Sequence, residues 1–85
     1  MSNFTAIEVD VRDLEPPLPM QEVLSRVPEL SVECYIKMIH RQEPKLLFDI
    51  LNKRGCKFIS RQFSEDEWNI YIYLNFADEI EKELL

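Results

Sequence analysis

The strongest nucleophiles in this sequence are its two cysteines, Cys34 and Cys56. A cysteine reacts as its thiolate, which nearby cations favour and apolar burial disfavours. Cys34 lies among apolar residues, so we expect it to be buried and inert. Cys56 follows Gly55 and precedes Lys57, close to Arg54, and these cations would favour its thiolate if the side chain were exposed. Cys56 is therefore the candidate for a reactive thiol.

His40 is the only histidine and comes at the end of a predicted strand. Three interpretations are open. With Arg41 and Lys45 it would form an anion site at the start of the next helix, where free N–H groups and the positive dipole end attract negative charge. With Glu43 and an aspartate it would be a metal ligand, but one histidine among scattered carboxylates is a weak signal, and we assign no metal. Otherwise it is a solvated loop histidine beside a helix cap.

Charged residues cluster at the end of the first predicted strand, at Asp10, Arg12, Asp13 and Glu15. If the first two strands are parallel, this end lies beside His40. Two loops that share one edge form a site for a small anion or a protein partner, or else carry ordinary surface ion pairs worth about 0–1 kcal/mol each.

Recognisable catalytic motifs are missing from the sequence. It contains no Ser-His-Asp set and no paired carboxylates placed for acid–base chemistry. The single glycine excludes a phosphate-binding or dinucleotide-binding loop. The sequence therefore predicts a protein that is not an enzyme and that uses no cofactor.

The charge balance makes nucleic acid an unlikely partner. The net charge is −6, whereas non-specific nucleic-acid binding depends on Lys and Arg. Six bases do cluster over residues 37–57, which we interpret as a solvated basic helix face. Aromatic side chains on the last two predicted strands could stack bases, but acidic residues 65–67 adjoin them. A core or dimer contact is the favoured role for these aromatics, which are Phe58, Trp68, Tyr71 and Tyr73.

The periodicity of hydrophobic residues predicts the strands and helices that position these side chains. Alternation of apolar and polar residues predicts strands near residues 7–11, 31–39, 56–63 and 68–74. Helical spacing predicts one helix that begins at Pro19 and ends at Pro28, and a second from Pro44 to Gly55. The tail, residues 76–85, is either a short amphipathic helix docked on the sheet or a frayed end.

The same periods predict which side chains are buried. The stripe of the first helix is Met20, Val23, Leu24 and Val27. The stripe of the second helix is Leu46, Leu47, Ile50 and Leu51. The buried face of the second strand is Val32, Cys34, Ile36 and Met38.

This element order predicts one α/β (α+β) domain spanning residues 1–85. The order β-α-β-α-β-β gives a two-layer sandwich, with a four-stranded mixed sheet and two helices on one face. The helix-long crossover between the first two strands favours parallel, right-handed pairing. The other sheet face is open unless the tail or a second copy covers it, so a homodimer is one alternative.

The run from Val9 to Met20 resembles the opening of the TusA/SirA-like sulfur-carrier superfamily, where a strand ending in Asp leads to a Cys-Pro-x-Pro motif. It is closest to a branch of unknown function with proline-rich versions of that motif. The resemblance implies the same two-layer sandwich and a bacterial or archaeal cytoplasmic protein. Pro17-Leu18-Pro19 matches Pro-x-Pro, but Pro16 replaces the cysteine and Asp13 replaces a usual glycine. The motif keeps its backbone role and loses its nucleophile.

These observations predict a non-catalytic ligand-binding or protein-binding module. Its binding residues are expected on the two loops of the shared edge: Asp10, Arg12, Asp13, Pro16, Pro17, Pro19, His40, Arg41 and Lys45. The expected partner is an unidentified protein or a small anion. A sulfur-relay or thiol-redox accessory protein that uses Cys56 is the alternative.

A cytoplasmic location is expected for the chain. Its first residues lack the charged and apolar regions of a signal peptide. No apolar run reaches membrane-spanning length. Two cysteines without disulfide or zinc spacing suit a reducing compartment.

Overall fold

A computed structural model describes residues 3–85, which follow the predicted order β-α-β-α-β-β and end in a third helix. The strands are β1 (Thr5–Asp10), β2 (Cys34–His40), β3 (Cys56–Ser64) and β4 (Glu67–Leu74). The helices are α1 (Leu18–Arg26), α2 (Lys45–Lys53) and α3 (Asp78–Leu84), with a 3-10 turn at Val27–Glu29. The predicted fold class is confirmed, and the tail is the short helix rather than a frayed end.

The four strands form one mixed sheet in the order β1-β2-β4-β3. β1 pairs with β2 in parallel, while β2–β4 and β3–β4 are antiparallel. The parallel register sets Asp10 beside Ile39, and the antiparallel register sets His40 beside Trp68. The carboxyl ends of β1 and β2 therefore lie together at one edge of the domain.

α1 and α2 pack on one face of the sheet and bury the main core. Val23 of α1 and Leu47 and Leu51 of α2 are fully buried against the central strands. Phe48 and Phe58 stack with their ring centroids 3.9 Å apart, which joins α2 to β3. The sheet side of this core consists mainly of Val9, Ile36, Met38, Ile70 and Ile72.

α3 packs on the opposite face of the sheet. Ile80 and Leu84 are buried against Tyr73 and Ala77. The Tyr73 hydroxyl donates a 2.7 Å hydrogen bond to the Glu81 carboxylate, which also receives Lys57 at 3.3 Å. The buried Tyr73 thus has the predicted core role, and the helix covers part of the face that the sequence left open.

Two residues predicted to be in the core are exposed. Val32 is 51% exposed because residues 32 and 33 form a turn and β2 begins only at Cys34. Leu46 is 81% exposed, because the stripe of α2 centres on Leu47 and Leu51, and the preceding position lies about 100° around the helix. Cys34, also predicted to be buried, is half-buried.

The helices of residues 3–85 have at most nine residues, which is too few for a membrane-spanning helix.

Gly55 ends α2 with a positive φ of 76°, as its place after Lys53 and Arg54 predicts. A Cβ added there would lie 3.7 Å from the side-chain nitrogen of Asn75, an ordinary contact. Gly55→Ala is therefore expected to destabilise the fold through backbone strain alone, by about 1–2 kcal/mol. Urea denaturation checks this against Asn52→Ala, an exposed substitution in the same helix. Equal stability of the two variants would contradict the strain argument.

Candidate functional site

The loops that follow β1 and β2 meet at the shared edge of the sheet. The backbone N–H of Val11 donates to the carbonyl of Ile39 at 2.9 Å, which extends the parallel pairing beyond the strand ends. Arg41 then forms a 3.0 Å ion pair with Glu15, across the two loops. The structure therefore brings both predicted loops together.

A groove of about 380 Å³ lies between these loops, within the usual size range of small-molecule sites (roughly 300–1,000 Å³). Its walls come from the proline-rich loop, the first turns of α1 and α2, and the loop after β2. Five of the predicted binding residues contribute to it: Pro16, Pro17, Pro19, His40 and Lys45. The remaining lining residues are Met20, Gln42, Glu43, Pro44, Leu46 and Leu47.

Prolines shape the first wall of the groove. The peptide bond between Pro16 and Pro17 is cis, and Pro17 occupies the N-cap position of α1, where its carbonyl accepts the backbone N–H of Gln21 at 3.1 Å. Pro19 is buried at the second position of that helix, where a missing N–H costs nothing. The run of prolines thus begins the helix and leaves apolar ring surface toward the groove.

His40 is buried to 3% exposure at the floor of the two-loop edge. Its Nδ1 accepts the backbone N–H of Arg41 at 2.8 Å and that of Gln42 at 3.4 Å. An Nδ1 that accepts carries no proton, so the neutral ring holds its proton on Nε2. No residue of the described chain partners Nε2, and His40 lines the groove, so the Nε2–H group is a donor available to an occupant.

The environment of His40 keeps the ring neutral. Burial lowers the pKa of His40 below its ordinary value of 6.5, and the positive charge of Arg41 lowers the pKa further. A proton on Nδ1 would also oppose the two backbone N–H donors. The imidazole therefore serves as a fixed hydrogen-bonding group rather than as a charged one.

Two backbone donors belong to helix-start residues that line the groove together with His40. Met20 lies in the first turn of α1, and Leu46 lies in the first turn of α2. The backbone N–H groups of Met20 and Leu46 have no hydrogen-bond acceptor within residues 3–85. By contrast, the next N–H group in each helix has one: Gln21 donates to the carbonyl of Pro17, and Leu47 donates to the carbonyl of Pro44. Free N–H groups of this kind are the usual anion-binding feature of a helix start.

Most charges around the groove are already paired. The Arg12 guanidinium forms ion pairs with the carboxylates of Asp10, at 2.7 Å, and Glu67, at 3.1 Å. The hydrogen bond from Arg12 lowers the pKa of the Asp10 carboxyl. Asp13 is exposed in the adjoining turn. The predicted residues Asp10, Arg12, Asp13 and Arg41 thus lie beside the groove and do not line it, which leaves Lys45 as its cation.

The residues that we considered as metal ligands have other partners. Glu43 accepts a 2.9 Å hydrogen bond from the Ser60 hydroxyl, and His40 Nδ1 accepts backbone N–H groups. Asp10 is paired with Arg12. The described residues contain no group of three His, Cys, Asp or Glu side chains arranged for a metal ion.

Cys56 lies far from the groove. It pairs with Leu74, six residues along β4 from the Trp68 that neighbours His40, which is about 20 Å in an extended strand. Its side chain is 2% exposed, and burial raises the pKa of the thiol despite the charge of Arg54. Cys56 therefore lacks the solvent exposure that a reactive thiol requires.

A family model for an uncharacterized conserved protein, DUF2249, matches residues 8–73, most of the chain. The chain belongs to this family. No curated protein and no solved structure matches the chain. The DUF2249 match begins in β1 and ends in β4, so it includes both loops and every residue that lines the groove.

Sequence reasoning missed part of the groove. The helical stripes predict that Met20 and Leu46 are buried, but Leu46 is exposed, and both residues line the groove and have free backbone N–H groups. Ser60, which donates to Glu43, lies on a strand remote in sequence. The available signal is the proline next to the start of each helix, because proline marks the first turn, whose N–H groups have no intrahelical acceptors.

The neutral His40 predicts a specific pH dependence of stability. Because its pKa is lowered by folding, the unfolded chain takes up the proton first, and stability falls as the pH drops below about 6.5 toward the folded pKa. His40→Asn should remove this loss, since an amide oxygen accepts the Arg41 N–H and does not titrate. The free energy of unfolding of both chains, measured by urea denaturation from pH 8 to pH 5, checks this.

Folding lowers the pKa values of Asp10 and Glu81 from their ordinary values of 3.8 and 4.5. Protonation of these carboxylates therefore reduces stability only below the pH range of this experiment. Parallel pH profiles for the wild-type chain and the His40→Asn variant would show that His40 is not held neutral.

Thiol titration tests the placement of the cysteines. In a Cys34→Ser variant, Cys56 is expected to react with an aromatic disulfide reagent only as fast as the fold opens, because burial shields the thiol and raises its pKa. In Cys56→Ser, the half-buried Cys34 should react sooner. Rapid reaction of Cys56 in the native chain would contradict this placement and favour the thiol-redox hypothesis.

Proposed function

We propose that this chain is a non-catalytic protein-interaction module whose groove receives an apolar segment of a partner protein. The observation that supports this most directly is His40. Its Nδ1 accepts backbone N–H groups and its Nε2–H has no partner in the described chain, while the ring lies among the prolines and leucines that line the groove. Ligand sites typically combine such apolar walls with a few fixed polar groups that orient the occupant.

An exposed leucine of the groove wall favours a protein partner over a small molecule. Leu46 lines the groove and is 81% exposed, and Leu18, which lies between Pro17 and Pro19, is 50% exposed. A peptide segment that extends beyond the groove would cover more of this apolar surface than a small ligand, and each largely buried leucine contributes about 1.5–3 kcal/mol.

The resemblance to the TusA/SirA-like sulfur carriers supports the same choice. The motif position that resembles their cysteine is Pro16, so the groove has no nucleophile there. Cys56 is buried and distant. These observations favour binding over sulfur relay. We extend the proposal to a single cytoplasmic domain that uses the position of the carrier motif as a docking surface.

Selection from a random-peptide library tests the proposal and requires no candidate partner. Peptides enriched on the wild-type chain are expected to bind at least tenfold more weakly to Leu46→Ser and to His40→Asn, since these variants remove an apolar contact and the Nε2 donor. Isothermal titration calorimetry on the synthesised peptides gives the affinities.

Val32→Ser is the matched control, because Val32 is an exposed aliphatic residue outside the groove. Peptide affinity should be the same for Val32→Ser and for the wild type. Failure of the selection to enrich any peptide, or enrichment of peptides that respond to Val32→Ser and not to Leu46→Ser, would show that the groove is not a docking site.

A further inference from the structure

Residues that line the groove carry several hydrogen-bond donors without partners in the described chain. The donors are the Nε2–H group of His40, the ammonium group of Lys45, and the free N–H groups of Met20 and Leu46. Gln42 offers one group of each kind. The Glu43 carboxylate is the main acceptor, and one of its oxygens already receives the Ser60 hydroxyl. An occupant that satisfies this set must present acceptors.

The electrostatic balance of the groove is also positive. The starts of α1 and α2 both contribute residues to it, and a helix start carries roughly half a positive charge. Lys45 adds one positive charge, which Glu43 offsets. The two helix starts therefore leave an excess of about one positive charge, which matches a single carboxylate.

Apolar surface surrounds these donors. Leu47 and Pro19 are buried in the floor, while Met20 and Pro17 form the side next to α1. A free inorganic anion would leave this surface without a partner. A carboxylate attached to an apolar residue would fill both parts, with its oxygens at the donors and its side chain against the prolines.

We infer that the partner segment ends in the groove, and that the donors of His40, Met20, Leu46 and Lys45 hold its C-terminal carboxylate while its last apolar side chain packs against the prolines. This inference rests on the proposed function and specifies the chemistry of its occupant. Backbone N–H groups capture C-terminal carboxylates in other peptide-binding domains in the same way.

Two library formats test the inference. One presents random octapeptides at the C-terminus of a carrier, with a free carboxylate, and the other presents the same sequences internally. Enrichment is expected from the free-end format alone. The best peptide is then synthesised as the acid and as the carboxamide, and the acid should bind at least tenfold more tightly, because charge-assisted hydrogen bonds are about twice as strong as neutral ones.

Two charge variants give a signature that a purely apolar groove would not show. Lys45→Met should weaken binding of the acid and leave binding of the amide unchanged. Glu43→Gln should strengthen binding of the acid, since it removes a negative charge and keeps an acceptor for Ser60. Lys53→Met, at the far end of α2, is the matched control and should change neither.

The outcomes separate the two proposals. Equal affinity of acid and amide, or enrichment from the internal format, would overturn the carboxylate inference and leave groove binding in place. Failure of both formats would overturn both proposals. Binding of N-acetyl-leucine as tight as that of the octapeptide would identify a free small carboxylate as the occupant, and would also overturn the inference of a protein C-terminus.

Discussion

Parallel pairing of β1 with β2 determines where the loops and helices of this domain lie. Parallel neighbours require a crossover, which α1 supplies, and they end at the same edge of the sheet. Each strand is followed by a loop and then by a helix that packs on the same sheet face. Two loops and two helix starts therefore converge at one edge, and that convergence creates the groove.

His40 links this architecture to the chemistry of the groove. It is the last residue of β2, and its alternation places it on the helix-covered face, beside Trp68. Burial there would be costly for a polar ring without partners. The backbone N–H groups of the next two residues satisfy Nδ1, which fixes both the tautomer and the remaining donor. Fold stability and the proposed recognition thus depend on opposite sides of one imidazole.

The opposite face of the sheet has a different role. α3 buries Ile80 and Leu84 and is held by the Tyr73–Glu81–Lys57 contacts. Much of the aromatic surface that the sequence offered for base stacking is committed to this packing: Tyr73 is buried, and Tyr71 packs at its border with the Arg61 guanidinium 5.6 Å from its ring centroid. The two faces of the sheet therefore have different roles. One face is covered by α3, and the groove lies at the edge of the other.

The element order, the fold class, the helix end at Gly55 and the meeting of the two loops could all be predicted from the sequence. They follow from local periodicity, backbone preferences and the crossover rule. Tertiary structure alone decided the exposure of Leu46, the burial of Cys56 and the ion pairs Arg12–Glu67 and Arg41–Glu15. Each is set by the angle of a helix or the path of a loop relative to residues distant in sequence. Residue spacing indicates which side chains share a face, whereas packing alone decides which of them an occupant can reach.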